Sequence, residues 1–336
     1  MQPMNVSLAN NILSVVILAT PGVATANSQM ETCIMHAFNN APPSTTLSQL
    51  REQCQDNNDE LTIVEAPIKP ESTIAKRVIT ELDNRKRDFV MTPHDPNFLL
   101  PFTHNAHTNS EPFLETNPEA NVDQNEAMIQ VSVEFPVAID VWNTDTDLMV
   151  AYTNRAWWQV YNDDFSKPFR ETNYEPEVFL RHYNFYSNSK WYVPQMFDIG
   201  YNHQSNGRDE PLSRSWDRLF ATAYFQLRPD LAMSLRTWYR LPESDGEDEM
   251  AGEQRYFGYG DARLVYTHDK HTLSMMVRPG TEHTSLETTW SYPISKHIRI
   301  MAYYYNGYGE SLLDYDHKTE RFGIGFAIND FLTRSK

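Results

Sequence analysis

From about residue 96 onward, apolar residues recur at every second position in segments of about ten residues, the length of a strand that crosses a membrane. In AMIQVSVEF (127–135), Ala127, Ile129, Val131, Val133 and Phe135 share one face, while Met128, Gln130, Ser132 and Glu134 share the other. The same alternation sets Leu148, Val150, Tyr152, Ala156 and Trp158 against Arg155 and Gln159. It sets Leu231, Met233, Leu235, Tyr239 and Leu241 against Ser234, Arg236 and Arg240, and Phe322, Ile324, Phe326 and Ile328 against Gly323, Gly325 and Asn329. A period of two is a strand signature, because successive side chains point to opposite faces. Two architectures share it: a soluble sandwich with one wet face, and a membrane barrel with a polar lumen. Arginines in the middle of the polar faces fit the lumen better. So does the aromatic content, 18 Tyr, 17 Phe and 7 Trp in an otherwise polar chain, because girdles of aromatic rings line the lipid–water boundaries of such barrels. Turn-forming clusters such as SNGRDEP, ESDGEDE and THDKH divide the region into about twelve strands. The expected fold is all-β: a twelve-stranded antiparallel transmembrane β-barrel over 91–336, preceded by an N-terminal periplasmic extension.

The first residues read as an export signal. An apolar run from Ile12 to Ala19 precedes Ala24-Thr25-Ala26, a small-x-small pattern, although no Lys or Arg stands before the run. Cleavage is expected after Ala26, making 1–26 a signal peptide. Past it, no apolar run approaches the ~18 residues of a membrane helix, so the exported chain is either soluble or crosses a membrane as strands. Residues 27–90 are polar and carry the chain's two cysteines, Cys33 and Cys54, which in an exported protein are expected to pair. Ile74, Val78, Ile79 and Leu82 recur at helical spacing and predict a short amphipathic helix. A plug, a partner-binding arm and a tether are all compatible with this extension. The formal charge of −17 leaves no basic surface for phosphate neutralisation and argues against a nucleic-acid partner.

The stretch YNHQSNGRDEPLSRSWDRLF (201–220) interrupts the pattern. Phe197, Ile199 and Tyr201 form an apolar face, and counting on by twos puts His203 and Ser205 on it. On the next strand, counting back from Phe225, Ala223, Ala221 and Leu219 reaches Asp217 and Ser215. Three polar groups thus point outward beside a turn, on the lipid side of the wall. A hydroxyl, an imidazole and a carboxylate on one face of a hairpin are what acyl-ester hydrolysis requires. The bland alternative is an exposed polar turn, since His-x-Ser alone is common. Two other groupings stand on weaker ground as metal sites: His104 and His107 lack a visible third ligand, and the acidic 245–249 loop, which could hold a calcium ion through Asp248 or Glu249, reads more simply as solvated.

These strings carry a resemblance. YNHQSNGR and SRSWDR are similar to the Y-N-H-x-S-N-G-R and S-R-S-W-N-R hairpin of the bacterial outer-membrane phospholipase A family. PFRETNYEP (168–176), SYPISKH (291–297), GYGESLLDY (307–315) and RFGIG (321–325) extend the similarity, in order, from about residue 90 to residue 331. The resemblance implies a twelve-stranded barrel in the bacterial outer membrane with its site on the outer wall. It implies calcium-dependent hydrolysis of phospholipid and lysophospholipid acyl esters, active as a homodimer. By position, Ser205 would be the nucleophile and His203 the base. Asp217 occupies the third place, where the family carries Asn. Gly207 would contribute to the oxyanion hole. Arg208 and Ser213 of one monomer, with Ser166 of the other, would hold Ca2+. Asn154 stands where the family has a Gln that pairs across the dimer. The rival readings are a passive barrel or porin that kept the strands without the chemistry, and a soluble exported β-barrel that binds a ligand.

Overall fold

The computed structural model describes residues 72–85, 90–114, 118–163, 169–184, 190–244 and 248–331. The expected signal peptide, Cys33, Cys54 and Ser166 lie outside these residues. The described strands are β1 (Phe98–Asn105), β2 (Asn125–Ala138), β3 (Thr146–Trp158), β4 (Phe169–Tyr183), β5 (Met196–Ser205) and β6 (Ser215–Arg228). They continue as β7 (Leu231–Arg240), β8 (Gly260–His268), β9 (His271–Pro279), β10 (Thr284–Pro293), β11 (Arg299–Tyr308) and β12 (Lys318–Ala327). Each pairs antiparallel with its neighbours in sequence, and β1 closes on β12 to complete a twelve-stranded barrel. Closure gives every strand a partner on both sides, the condition for strands to cross hydrocarbon.

The two faces of the wall are inverted relative to a soluble protein. Val131, Phe135, Val178, Ile199, Leu219, Leu235, Phe322, Ile324 and Phe326 are exposed, whereas Glu134, Arg181, Asp198 and Arg321 are buried. The apolar side therefore faces outward, toward lipid, and the charged side faces inward. Inside, charges are neutralised in contact. Arg181 bonds Asp198 through two nitrogens at 2.8 and 2.9 Å, Glu134 at 2.8 Å and Glu81 at 3.1 Å. Arg321 pairs with Glu310 and Glu126, both at 2.8 Å. A buried charge without such partners would be strongly destabilising.

A helix, α1 (Thr73–Arg85), lies within the 27–90 segment and packs on the barrel. Its Ile74 and Val78 are buried against Tyr183, Met196, Tyr224, Ala232 and Val265, contributed by β4 to β8, with Leu82 alongside. Arg77 bonds Glu81 one turn on at 2.6 Å and the carbonyl of Phe331 at 3.1 Å. The apolar stripe of α1 thus fills the mouth of the barrel, and its charged residues join the lumen network.

Connection lengths orient the barrel. The end that holds Phe98 and Ala327 includes the two-residue turns 229–230 and 269–270, whereas the opposite end carries 106–124 and 241–259. Short turns face the periplasm and long loops the exterior. The hairpin connection 206–214 is therefore on the external side.

Candidate active site

The antiparallel register of β5 and β6 sets His203 directly opposite Asp217 and Ser205 directly opposite Ser215. All four have the parity of outward-facing residues such as Ile199 and Leu219, and all are half-buried. His203 Nδ1 lies 2.8 Å from Asp217 Oδ1, with the two side chains 37% and 36% exposed. Tyr201 Oη donates to the same Oδ1 at 2.5 Å. Two members of the grouping expected from counting by twos, His203 and Asp217, are therefore in contact, and Ser205 stands on the same outward face of the wall at the external rim. Tyr201 is the member the sequence did not single out, beyond placing it on the apolar face.

The connection after Ser205 is held in one shape by Asn206, which is buried. Its Nδ2 donates to the Leu212 carbonyl at 2.8 Å, and its Oδ1 accepts from the N–H groups of Arg214 at 2.9 Å and Arg208 at 3.3 Å. Gly207 follows at φ +61°, a left-handed conformation that glycine adopts without strain. A Cβ there would stand 3.2 Å from the Tyr174 ring, the cross-strand neighbour of Ser205 on β4. Arg208 turns its guanidinium back onto β4, bonding Glu171 at 3.2 Å and the carbonyl of Arg170. Ser213 sits at the other end of the same connection, and its carbonyl accepts from Arg214 at 2.6 Å. One loop thus carries Gly207, Arg208 and Ser213 beside Ser205. Asn154 projects outward from β3, opposite Tyr174 on one side and Val131 on the other.

The described part of the acidic loop has partners within the protein, one of them on the hairpin itself. Asp248 pairs with Arg240 at 2.6 Å, and Glu249 accepts from Ser215 Oγ at 3.2 Å. His104 bonds Asn125 at 2.9 Å and His107 faces Glu320 at 3.8 Å, so the two histidines have separate partners. Among the described residues, no three His, Cys, Asp or Glu converge as a metal site.

The chain matches the family model described as phospholipase A1 over residues 74–328. The match begins inside α1, so the similarity covers the helix as well as the strands. The chain is 34% identical over 275 residues to a phospholipase A1 from Salmonella typhimurium, covering 81% of this chain and 92% of that one. It is 33% identical to the Escherichia coli phospholipase A1 over the same shares. The solved outer membrane phospholipase A from Escherichia coli superposes with a TM-score of 0.70 at 32% identity, covering 78% of this chain and 98% of that one. The Salmonella typhi outer membrane phospholipase, solved as a dimer with bound calcium, superposes with a TM-score of 0.69 at 32% identity, covering 75% and 98%. With the closed twelve-stranded barrel and its inverted faces, these likenesses place the protein in the bacterial outer membrane. The chain belongs to the phospholipase A1 family.

Proposed function

We propose that this protein is a calcium-dependent serine acyl-hydrolase that cleaves the acyl esters of phospholipids at both glycerol positions, and those of lysophospholipids. The observation that carries this reading is the 2.8 Å contact between His203 Nδ1 and Asp217 Oδ1, with Ser205 two residues on along the same outward face. Because Nδ1 faces the carboxylate, Nε2 is the nitrogen available to Ser205. His203 takes the Ser205 proton as Oγ attacks the ester carbonyl carbon. Asp217 orients the ring and stabilises its charged form. The protonated imidazole then gives its proton to the departing glycerol oxygen, leaving the acyl group on Ser205. A water, deprotonated by the same ring, then attacks the acyl carbon; the bond to Oγ breaks, the ring returns the proton to Oγ, and the fatty acid leaves. The Gly207 N–H is assigned to the oxyanion.

The loop suits calcium in its chemistry. The Arg208 carbonyl and the Ser213 hydroxyl are neutral, hard oxygen donors of the kind calcium takes, and Asn206 holds both on one connection. When bound, the ion would add positive charge beside the developing oxyanion. Two such donors leave calcium's usual six to eight positions far from filled. A partner monomer's Ser166 fits that need. The homologue solved as a dimer with calcium supports this reading. So does Asn154, an amide facing lipid near the site whose bond from Nδ2 to the Asn173 carbonyl is long at 3.5 Å and leaves capacity for a partner across an interface. Activity only in the dimer would keep the enzyme from degrading its own membrane.

The mechanism is tested by treating the refolded protein with an alkyl sulfonyl fluoride and mapping the adduct by mass spectrometry. Modification at Ser205 that is lost in His203→Ala is expected. An adduct on any other residue, with Ser205 unmodified, would overturn the nucleophile.

A further inference from the structure

We propose that Tyr201 is a positioning residue of this site, a phenol that anchors Asp217 and moderates the hold of its carboxylate on His203. This rests on the serine-hydrolase reading above and adds a fourth side chain to it. The geometry is specific. Tyr201 precedes His203 by two positions on β5, so both project from the same side of the wall. Asp217 is the cross-strand partner of His203, which puts Tyr201 on the diagonal, within reach of an aromatic side chain. Its hydroxyl donates at 2.5 Å to Oδ1, the oxygen that His203 Nδ1 also contacts at 2.8 Å.

A carboxylate on a lipid-facing wall needs hydrogen-bond donors, because hydrocarbon supplies none. Tyrosine suits this place: the ring is compatible with the apolar wall below, formed by Ile199 and Leu219, and the hydroxyl reaches the polar rim. Two donors on one oxygen also compete. Each draws on the same lone-pair density, so the phenol weakens the stabilisation that Asp217 gives to the imidazolium. Among the described residues, the titratable groups facing Asp217 come from two places. β5 contributes Tyr201 and His203. From the connection after β7, Leu241 N–H donates to the Asp217 carbonyl at 2.8 Å, and Glu243 follows. Burial pushes the Glu243 carboxyl up, Arg240 opposes this, and the negative charges of Asp248 and Asp217 add to it. Glu249 stands at Ser215, two residues before Asp217.

The test is the pH dependence of phospholipid hydrolysis in mixed micelles with calcium, for the full-length protein and Tyr201→Phe. The variant is expected to lose roughly tenfold in kcat, as for one hydrogen bond to a charged group, with little change in KM. The acid limb of kcat/KM is expected to move to higher pH. In an Asp217→Asn background, where the charge is gone, the same substitution should not move the limb. Fluorotyrosine at 201, isosteric and a stronger donor, should move the limb to lower pH even if Tyr201→Phe folds poorly. Wild-type kcat and an unshifted limb in Tyr201→Phe, or a fall in kcat with no shift of the limb in either variant, would overturn the proposal. The parent reading fails separately, if Ser205→Ala retains wild-type activity.

Discussion

Asn154 and Ser205 stand in one outward-facing row of the barrel wall, each the cross-strand partner of Tyr174 on the strand between them. A second monomer that docked on Asn154 would therefore lie two strands from the hydroxyl, roughly 10 Å at the usual strand spacing. That proximity is what a site completed across a dimer requires.

Replacing Asn154 with Ala should weaken dimerisation modestly. An amide pair in lipid contributes about 1 kcal/mol, which is about fivefold in a dissociation constant. Sedimentation in detergent with calcium reads this directly. An unchanged dimer fraction would remove Asn154 from the interface.

Asp217→Asn and Asp217→Ala should separate orientation from charge. Asn keeps an acceptor for His203, so activity is expected to stay within roughly tenfold of wild type. Ala removes the acceptor and should lower kcat by about 100-fold or more, in the range of general-base effects. The neutral amide no longer stabilises the imidazolium, so the acid limb of the Asn variant should move to lower pH.

The lumen network predicts a stability effect with no chemical one. Arg181 is buried and is the shared partner of Asp198, Glu134 and Glu81. Arg181→Met leaves those carboxylates without it, and breaking a buried pair of this kind costs about 3–5 kcal/mol. The urea midpoint in micelles should fall, while the specific activity of the folded fraction holds.

His94, in the segment before β1, gives the stability a pH dependence. Burial works against the charged ring, but hydrogen bonds to Glu134 at 2.6 Å and Glu177 at 2.8 Å outweigh it, and His94 is pushed up to about 10. A folded value above the unfolded ~6.5 means the contribution is fully present below about pH 6.5. It is lost as pH rises through the folded value. The stability gap between wild type and His94→Gln should therefore be constant in acid and should narrow toward pH 10. A gap that widens over that range would contradict the assignment.

Much of this site was legible because strand geometry is a simple counting rule. Once Phe197, Ile199 and Tyr201 define a face, His203 and Ser205 must follow it, and Asp217 follows from Leu219 in the same way. The bond from Tyr201 to Asp217 was not legible, because it depends on the register between two strands, and alternation within each strand carries no register. The partners of α1 were hidden for a similar reason. Its apolar stripe was readable at 74, 78 and 82, but Tyr183, Met196 and Tyr224 come from three different strands and meet only when the barrel closes. The engagement of Glu249 by Ser215 was equally invisible, being a contact between a loop and the rim of a strand.

The most direct test of the central claim is acyl-ester hydrolysis in mixed micelles, with calcium and then with chelator, for the wild type and Ser205→Ala, with folding of each sample verified. Hydrolysis by the wild type that is abolished both by chelator and by the substitution is the predicted result. Wild-type rates in Ser205→Ala, or no hydrolysis by a folded, calcium-loaded dimer, would contradict it.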